Sequence, residues 1–138
     1  MLKRLPVIIR FSDTDIKSLD LQKELRIDRS DLDRELARQP QRYNYWSELY
    51  ATISAKVSRL REELEHLEAR LYIQAEGNVT EKKHRILLNP VYRKKQKRLR
   101  HWESAERQLK FAEKSFDQRL SSLMCLNANQ RKERQNLE

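Results

Sequence analysis

Apolar residues recur along the middle of this chain with the period of an amphipathic helix. The first series begins after Pro40 and advances in alternating steps of three and four residues. Its members are Tyr43, Trp46, Tyr50, Ile53, Val57, Leu60, Leu64, Leu67 and Leu71. This heptad pattern predicts a helix of about 35 residues that packs against a partner helix. Gly77 and Asn78 are expected to end it.

A second apolar series follows the dipeptide Asn89-Pro90, which combines a favourable N-cap with proline at the first helical position. Its members are Leu99, Trp102, Leu109, Ala112, Phe116, Leu120 and Leu123. The pattern predicts a second long helix that ends near Asn127, followed by a polar C-terminal tail over residues 129–138. Between the two series, Thr80 is expected to cap a two-turn helix.

The two long helices are expected to fold back on each other. If Glu76 and Pro90 lie level at the turn, apolar residues of one helix face apolar residues of the other. The facing pairs are Leu67 with Leu99, Leu64 with Trp102, Val57 with Leu109, Tyr50 with Phe116, Trp46 with Leu120 and Tyr43 with Leu123. The sequence therefore predicts an all-α protein with a long antiparallel αα-hairpin over residues 40–128 and a tip at 77–90.

The part before Pro40 is less regular. Residues 7–11 are β-like and have no evident second strand, so residues 1–13 are expected to form an N-terminal arm. Residues 14–39 are expected to form two short helices, the second of them capped by Asp28 or Ser30 and ending before Pro40.

The composition limits the core that this chain can build. Apolar residues make up 38% of the chain and charged residues 37%, against roughly 45–50% and 25% in typical globular domains. Such a chain is expected to complete the burial of its apolar faces by oligomerising or by binding a ligand, and a homo-oligomer is the leading expectation. Cys125 is the single cysteine and is expected to be buried. No segment has the length of a signal sequence or a membrane span, so a cytoplasmic protein without a membrane partner is expected.

The net charge of +9 is concentrated in residues 82–100, which contain nine Lys and Arg and no Asp or Glu. The rest of the chain balances, with 21 Lys and Arg against 21 Asp and Glu. The nine cations, called the basic stretch below, are Lys82, Lys83, Arg85, Arg93, Lys94, Lys95, Lys97, Arg98 and Arg100. A local charge of this size predicts a polyanionic partner, most commonly nucleic acid. The alternative is a solvated helix face partly neutralised by the facing helix, with Glu68 opposite Arg98 and Glu65 opposite His101.

Side chains that could perform chemistry are dispersed. The histidines lie far apart in the chain, Cys125 has no histidine nearby, and one glycine cannot make a phosphate-binding loop. We therefore expect a protein that is not an enzyme and that needs no cofactor and no metal.

Aromatic residues cluster where the first long helix begins. Tyr43, Trp46 and Tyr50 lie on the heptad seam, so core or intersubunit packing is expected for them. The same packing role is predicted for Ile53, Phe116, Leu120 and Leu123. Tyr45 points away from the seam and is the candidate for stacking on a base.

The order of several segments resembles the UvsY family of phage recombination mediators. The segments are LDLQKEL at 19–25, Ile27-Asp28, RYNYWSELY at 42–50, and Ala69-Arg70-Leu71 at the end of a long helix before Gly77. The resemblance implies a ring-like homo-oligomer in the host cytoplasm that binds single-stranded DNA. It also implies that the protein helps a RecA-type recombinase to replace the single-strand binding protein. Arg70 matches an arginine implicated in strand binding, whereas Glu68 stands in place of that motif's lysine, which moves the predicted contact to the opposite arm.

The leading hypothesis is thus a recombination accessory protein that binds single-stranded DNA without strong sequence preference, through the basic stretch, Arg70 and Tyr45. The alternative is a structural or adaptor protein, similar to a scaffold or chaperone, whose helical hairpin binds an acidic protein. A third hypothesis is a protein that packages duplex DNA. A preference for single strands over duplex and over heparin separates the three.

Overall fold

The computed structural model describes residues 7–10, 16–19 and 21–138, and most of these residues are helical. The helices are α1 (Leu21–Leu25), α2 (Leu32–Gln74), α3 (Val79–Leu88) and α4 (Pro90–Leu137). Strands β1 (Val7–Arg10) and β2 (Ile16–Leu19) precede them. The predominantly helical architecture predicted from the apolar pattern is confirmed, with this small sheet added to it.

The two strands correct the predictions for the start of the chain. β1 and β2 pair antiparallel, with Val7 opposite Leu19 and Arg10 opposite Ile16. The predictions of an unpaired β-like run and of a short helix that includes residues 16–19 are therefore wrong. Val and Ile residues are β-branched and favour extended backbone, which is the local reason for the pairing. Residues 1–6 and 11–13 of the predicted arm lie outside the described residues.

Helix α2 begins after Asp31, three residues beyond the predicted cap Asp28 and one residue beyond the predicted cap Ser30. The Arg34 backbone N–H donates to Asp31 Oδ1 at 3.2 Å, so Asp31 caps α2 instead of Asp28 or Ser30. Asp28 accepts hydrogen bonds from both the backbone N–H and the hydroxyl of Ser30, at 2.9 and 2.6 Å, in the loop before the helix. This is an Asx-type turn, which explains why these residues are polar without being caps.

Helix α2 runs through Pro40, where the sequence predicted a boundary between two helices. Proline inside a helix costs about 3 kcal/mol because it removes a hydrogen bond and crowds the preceding turn. Pro40 is exposed, whereas Leu32, Glu35 and Gln39 in the preceding turns are buried. Their burial and hydrogen bonds offset that cost, so the predicted second short helix is the first part of α2.

The chain divides into two compact units. The terminal unit comprises Met1–Leu49 and Gln108–Glu138, and the tip unit comprises Tyr50–Arg107. α2 and α4 contribute to both, and α3 lies in the tip unit.

In the terminal unit, α2 and α4 pack through Trp46 and Phe116. The two rings are stacked, with centroids 5.6 Å apart, and both side chains are buried, as is Leu123. The predicted partner of Trp46 was Leu120, but Leu120 is 37% exposed. The buried side of α4 here contains Phe116, Arg119 and Leu123, which are spaced by three and four residues. Leu120 therefore lies beside this buried row and not in it. Tyr43 is half-buried, and its hydroxyl lies 3.4 Å from Glu113 Oε1 instead of facing Leu123.

A buried polar network surrounds Arg119. Its guanidinium forms an ion pair with Glu35 and donates to Gln39 Oε1 at 2.5 Å. It also donates to the backbone carbonyls of Leu25 and Arg26 at 3.1 and 2.9 Å. Gln39 Nε2 in turn donates to the Phe116 carbonyl at 2.6 Å. Arg119 thus joins the end of α1 to α2 and α4, and its charge suits the carbonyl end of a helix.

In the tip unit, α2 and α4 run in opposite directions and pack along their apolar sides. Ile53, Val57, Leu60, Leu99, Trp102 and Ala105 are buried, and Tyr50 is half-buried. Arg61 Nη2 lies 3.1 Å from Glu103 Oε1, an ion pair that joins α2 to α4.

The C-terminal region also differs from the prediction. Helix α4 continues through the predicted polar tail to Leu137, because that segment contains good helix formers and neither Gly nor Pro. The Gln130 side chain donates to the Arg29 carbonyl at 3.2 Å. Cys125, expected to be buried, is exposed.

Candidate nucleic-acid interface

A glycine turn and two asparagine helix caps position the helices that carry the basic stretch. Gly77, predicted to end the first long helix, lies three residues after the end of α2 at Gln74, and its φ of +108°, which side chains disfavour, turns the chain towards α3. Asn78, not the predicted Thr80, then caps α3. Its side chain accepts from the Glu81 backbone N–H at 2.9 Å, and the Glu81 side chain accepts from the Asn78 N–H at 3.2 Å. This capping box sets the start of α3, the helix that carries Lys82, Lys83 and Arg85.

The predicted start of α4 is confirmed. Asn89 Oδ1 accepts from the backbone N–H groups of Val91 and Tyr92 at 3.0 and 3.2 Å, and Pro90 occupies the first helical position. Because Asn89 both follows α3 and caps α4, the basic residues of the two helices lie on either side of one corner.

An apolar cluster holds this corner against α2. Leu67, Ile86 and Tyr92 are buried together, with Leu64, Leu71 and Tyr72 packed around them. Burial raises the pKa of the Tyr92 phenol, the Glu68 carboxylate raises it further, and Arg100 opposes both. Tyr92 therefore remains neutral at physiological pH and belongs to the core instead of offering a stacking surface.

Most of the basic stretch is exposed. Lys83, Arg85, Arg93, Lys94, Lys97, Arg98 and Arg100 are exposed, and Lys82 and Lys95 are half-buried. Arg93, Lys97 and Arg100 share one stripe of α4 at spacings of four and three residues, and Lys94 and Arg98 form a neighbouring stripe. Lys82 Nζ lies 4.9 Å from the centre of the Tyr72 ring, a cation–π contact that holds this ammonium at the surface.

The cations of the basic stretch have no acidic partner among the described residues. Ion pairs within residues 7–10, 16–19 and 21–138 include those of Arg42 and Arg119 with Glu35, of Arg59 with Glu63, and of Arg61 with Glu103, and none of these involves the basic stretch. The predicted neutralisation of Arg98 by Glu68 is therefore not formed in this part of the chain. Glu65 and Glu68 are exposed on α2, and the Glu68 carboxylate acts on Tyr92 instead.

The two remaining predicted contact residues lie in different units. Arg70 is exposed on α2 in the tip unit, the unit that also contains the basic stretch. Tyr45 is in the terminal unit, 42% exposed, with its ring edge-on to Trp46 at 5.8 Å. Its exposure agrees with its position away from the seam.

Two features of the tip unit were not predicted from the sequence. The first is a group of exposed aliphatic side chains: Ile73, Val79, Leu87, Leu88 and Val91. The second is a recess of about 210 Å³, called the tip recess below. Its lining residues are Leu71, Gln74, Ala75, Arg85, Ile86 and Asn89. The aliphatic residues that lie off the heptad seam were a sequence signal for the first feature, whereas the tip recess depends on where α2 ends.

Within the described residues, no group of three or more His, Cys, Asp or Glu side chains is arranged to hold a metal ion. None of the helices described is long and apolar enough to cross a membrane.

Comparison of the chain with protein-family models, with curated proteins and with solved structures finds no match.

Proposed function

We propose that this protein binds single-stranded DNA through the basic stretch and acts as a recombination accessory protein. The observation that supports the proposal is the set of nine cations on α3 and the first three turns of α4, without an acidic partner among the described residues. Cations that a protein leaves unneutralised on one surface attract a polyanion and release its counterions on binding.

The chemistry of the basic stretch fits phosphates. Arg side chains bind phosphate oxygens in bidentate fashion, and Lys side chains act as mobile point charges. On α4, residues four apart on one stripe are separated by about 6 Å along the helix axis, so successive cations can contact successive phosphates. Such contacts position a strand without reading its bases, which predicts binding that is largely independent of sequence.

Assembly of several copies is part of the proposal, because one tip unit alone would bind a strand weakly. Trp46, Phe116 and Leu123 are buried within the terminal unit and Ile53 within the tip unit, so these side chains serve the core of each chain. Self-association therefore requires other apolar residues. Phe111, Leu120 and Met124 in the terminal unit are 69%, 37% and 60% exposed and provide such a surface.

In this proposal the assembled copies hold and order a single strand so that a RecA-type recombinase can displace the single-strand binding protein. The ring-like arrangement and the two partner proteins come from the resemblance to the UvsY family. The protein performs no covalent chemistry on the strand.

Replacing Lys94, Lys95, Lys97 and Arg98 by Ala tests the proposal. If all four contact phosphates, the slope of log affinity against log salt becomes less negative by about 3, and affinity at 100 mM salt falls on the order of 100-fold for every sequence. The measurement is fluorescence anisotropy with labelled single strands of two unrelated sequences, with light scattering to confirm that the oligomer is unchanged.

A matched control removes four exposed cations outside the basic stretch, namely Lys110, Lys114, Arg131 and Lys132, so that net charge falls equally. The control is expected to lose much less affinity. Equal losses in both variants would show that net charge, and not the basic stretch, determines binding, and would contradict the proposal.

The exposed aliphatic side chains of the tip unit favour a second candidate, an adaptor or scaffold-like protein that binds an acidic protein. Aliphatic residues with exposures such as 79% for Ile73 and 71% for Leu88 are typical of surfaces that contact other proteins. Competition separates the candidates. Single-stranded DNA should displace a bound labelled strand at lower concentration than duplex or heparin, and equal displacement by heparin would favour the adaptor.

A further inference from the structure

The tip recess shares one lining residue, Arg85, with the basic stretch proposed to bind DNA. Leu71, Gln74 and Ala75 come from the end of α2, and Arg85, Ile86 and Asn89 come from α3 and its C-cap. The recess exists because α2 ends at Gln74, Ala75 carries only a methyl group, and Gly77 turns the chain towards α3. At about 210 Å³ it is smaller than the roughly 300–1,000 Å³ of sites for drug-sized molecules, so it accommodates a single ring system.

The walls of the tip recess are apolar and its polar groups are mainly donors. Leu71, Ala75 and Ile86 supply the apolar surface, and Ile86 is itself buried. Asn89 Oδ1 already accepts two backbone hydrogen bonds, so its amide nitrogen is the group left to donate. The Gln74 side chain is exposed and can donate or accept a hydrogen bond. Arg85 adds a planar cation.

A nucleobase has matching chemistry, because it is flat, apolar on both faces and polar at its edges. The backbone attached to such a base is anionic, and cations occur on both sides of the tip recess in the chain: Lys82 and Lys83 before Arg85, and Arg93 and Lys94 after Asn89. An acidic protein side chain would complement Arg85 but leave the apolar walls uncovered. The shape and the charge of the tip recess and its surroundings therefore fit a nucleotide better than a simple anion.

We propose that the tip recess holds one base of the bound single strand while the basic stretch holds its phosphates. This inference rests on the proposed function and adds to it a contact that does not depend on counterion release. It also supplies a physical reason for a preference for single strands, because a base in a duplex is stacked and paired and must first be extruded.

The test compares two oligonucleotides of equal length and equal phosphate number, one of deoxythymidine and one in which every base is replaced by an abasic site. Because burying one base removes apolar surface from water, the unmodified protein is expected to bind the base-bearing strand about fivefold or more tightly, with the same salt slope for both strands. Ala75→Leu, which fills the tip recess without changing charge, is expected to abolish that preference and keep the salt slope.

Ala55→Leu is the matched control, because Ala55 is exposed on α2 of the same unit and does not line the tip recess. This variant should retain the preference for the base-bearing strand. Thermal unfolding of both variants checks the fold. If Ala75→Leu is unstable, Gln74→Ala replaces it as the test of the tip recess, and this variant is expected to show a weaker preference for the base-bearing strand.

Three outcomes distinguish the two proposals. Equal binding of both strands by the unmodified protein, with a steep salt slope, would overturn the base contact and leave the DNA-binding proposal intact. If Ala75→Leu still preferred the base-bearing strand, the tip recess would not be the source of that preference. If Tyr45→Ala lost the preference, Tyr45 would be the residue that contacts the base. A salt-independent affinity would contradict the DNA-binding proposal itself.

Discussion

The terminal unit and the tip unit use charged residues in opposite ways. In the terminal unit, Arg119 is 4% exposed, and Glu35 and Gln39 beside it are also buried and bonded to it. In the tip unit, the cations of the basic stretch face solvent and have no acidic partner among the described residues. The same type of side chain therefore serves the fold in one unit and remains available to a ligand in the other.

The difference follows from the energetics of burial. A buried charge must be paired and hydrogen-bonded, since removing one partner leaves the other desolvated and uncompensated. The absence of an acidic partner costs an exposed cation little stability, because water solvates its charge. An exposed ion pair contributes only about 0–1 kcal/mol to the free energy of unfolding. Substitutions in the two units should consequently separate stability from binding.

The largest expected effect is that of Arg119→Met on stability. It would leave Gln39 and the carbonyls of Leu25 and Arg26 without this donor, and Glu35 with only Arg42, 3.9 Å away, as a cationic partner. The free energy of unfolding should fall by about 3 kcal/mol. Urea unfolding followed by circular dichroism measures it. Arg98→Met, an exposed arginine of the tip unit, is the control and should change stability by less than about 0.5 kcal/mol.

Replacing the whole network sharpens this test. With Arg119, Glu35 and Gln39 all changed to Leu, no buried charge remains, and stability should recover by at least about 2 kcal/mol relative to Arg119→Met. If the triple variant were as unstable as the single one, the loss would come from packing around the arginine stem and not from unpaired charge.

The apolar pattern shows how much of this fold the sequence could predict. The seam residues from Trp46 to Leu67, the turn at Gly77 and the start of α4 at Asn89-Pro90 followed from periodicity and capping chemistry. Arg119, Glu35 and Gln39 occupy seam positions, but a pattern of apolar residues cannot reveal polar side chains that satisfy each other. The continuation of α2 through Pro40 could not be predicted either, because it depends on the same polar network.

The candidate site was predictable only in its charge. The basic stretch is evident because like charges accumulate in the sequence without an acid between them. The tip recess depends on the two residues by which α2 stops before Glu76 and on the small side chain of Ala75, neither of which a local pattern determines.

A smaller effect is expected from Gly77→Ala in the tip unit. Alanine disfavours the φ of +108°, and its Cβ would clash with the Glu81 carboxylate that completes the α3 capping box. The expected loss is about 1–3 kcal/mol. Asn78→Ala, which removes the cap but not the glycine, should lose about 1 kcal/mol. Equal losses would show that the backbone of Gly77 contributes nothing beyond the capping box.

The smallest effect concerns alkaline pH. Burial and Glu68 hold the pKa of Tyr92 above its ordinary value of 10.0 in the folded protein. The unfolded chain therefore ionises first, and the stabilisation by the neutral phenol is complete below pH 10.0 and declines as the pH rises towards the folded pKa. Tyr92→Phe should flatten this part of the stability curve. A curve with an unchanged slope between pH 9 and 11 would assign the alkaline loss to other groups.

The central claim, that the cations of the tip unit bind the phosphates of a single strand, is tested most directly by the salt dependence of binding. If about six phosphates are neutralised, log affinity should fall against log salt with a slope of about −4, or about 300-fold between 50 and 200 mM salt. Fluorescence anisotropy with a labelled single strand measures this slope. A slope near zero, or no binding at 50 mM salt, would contradict the claim.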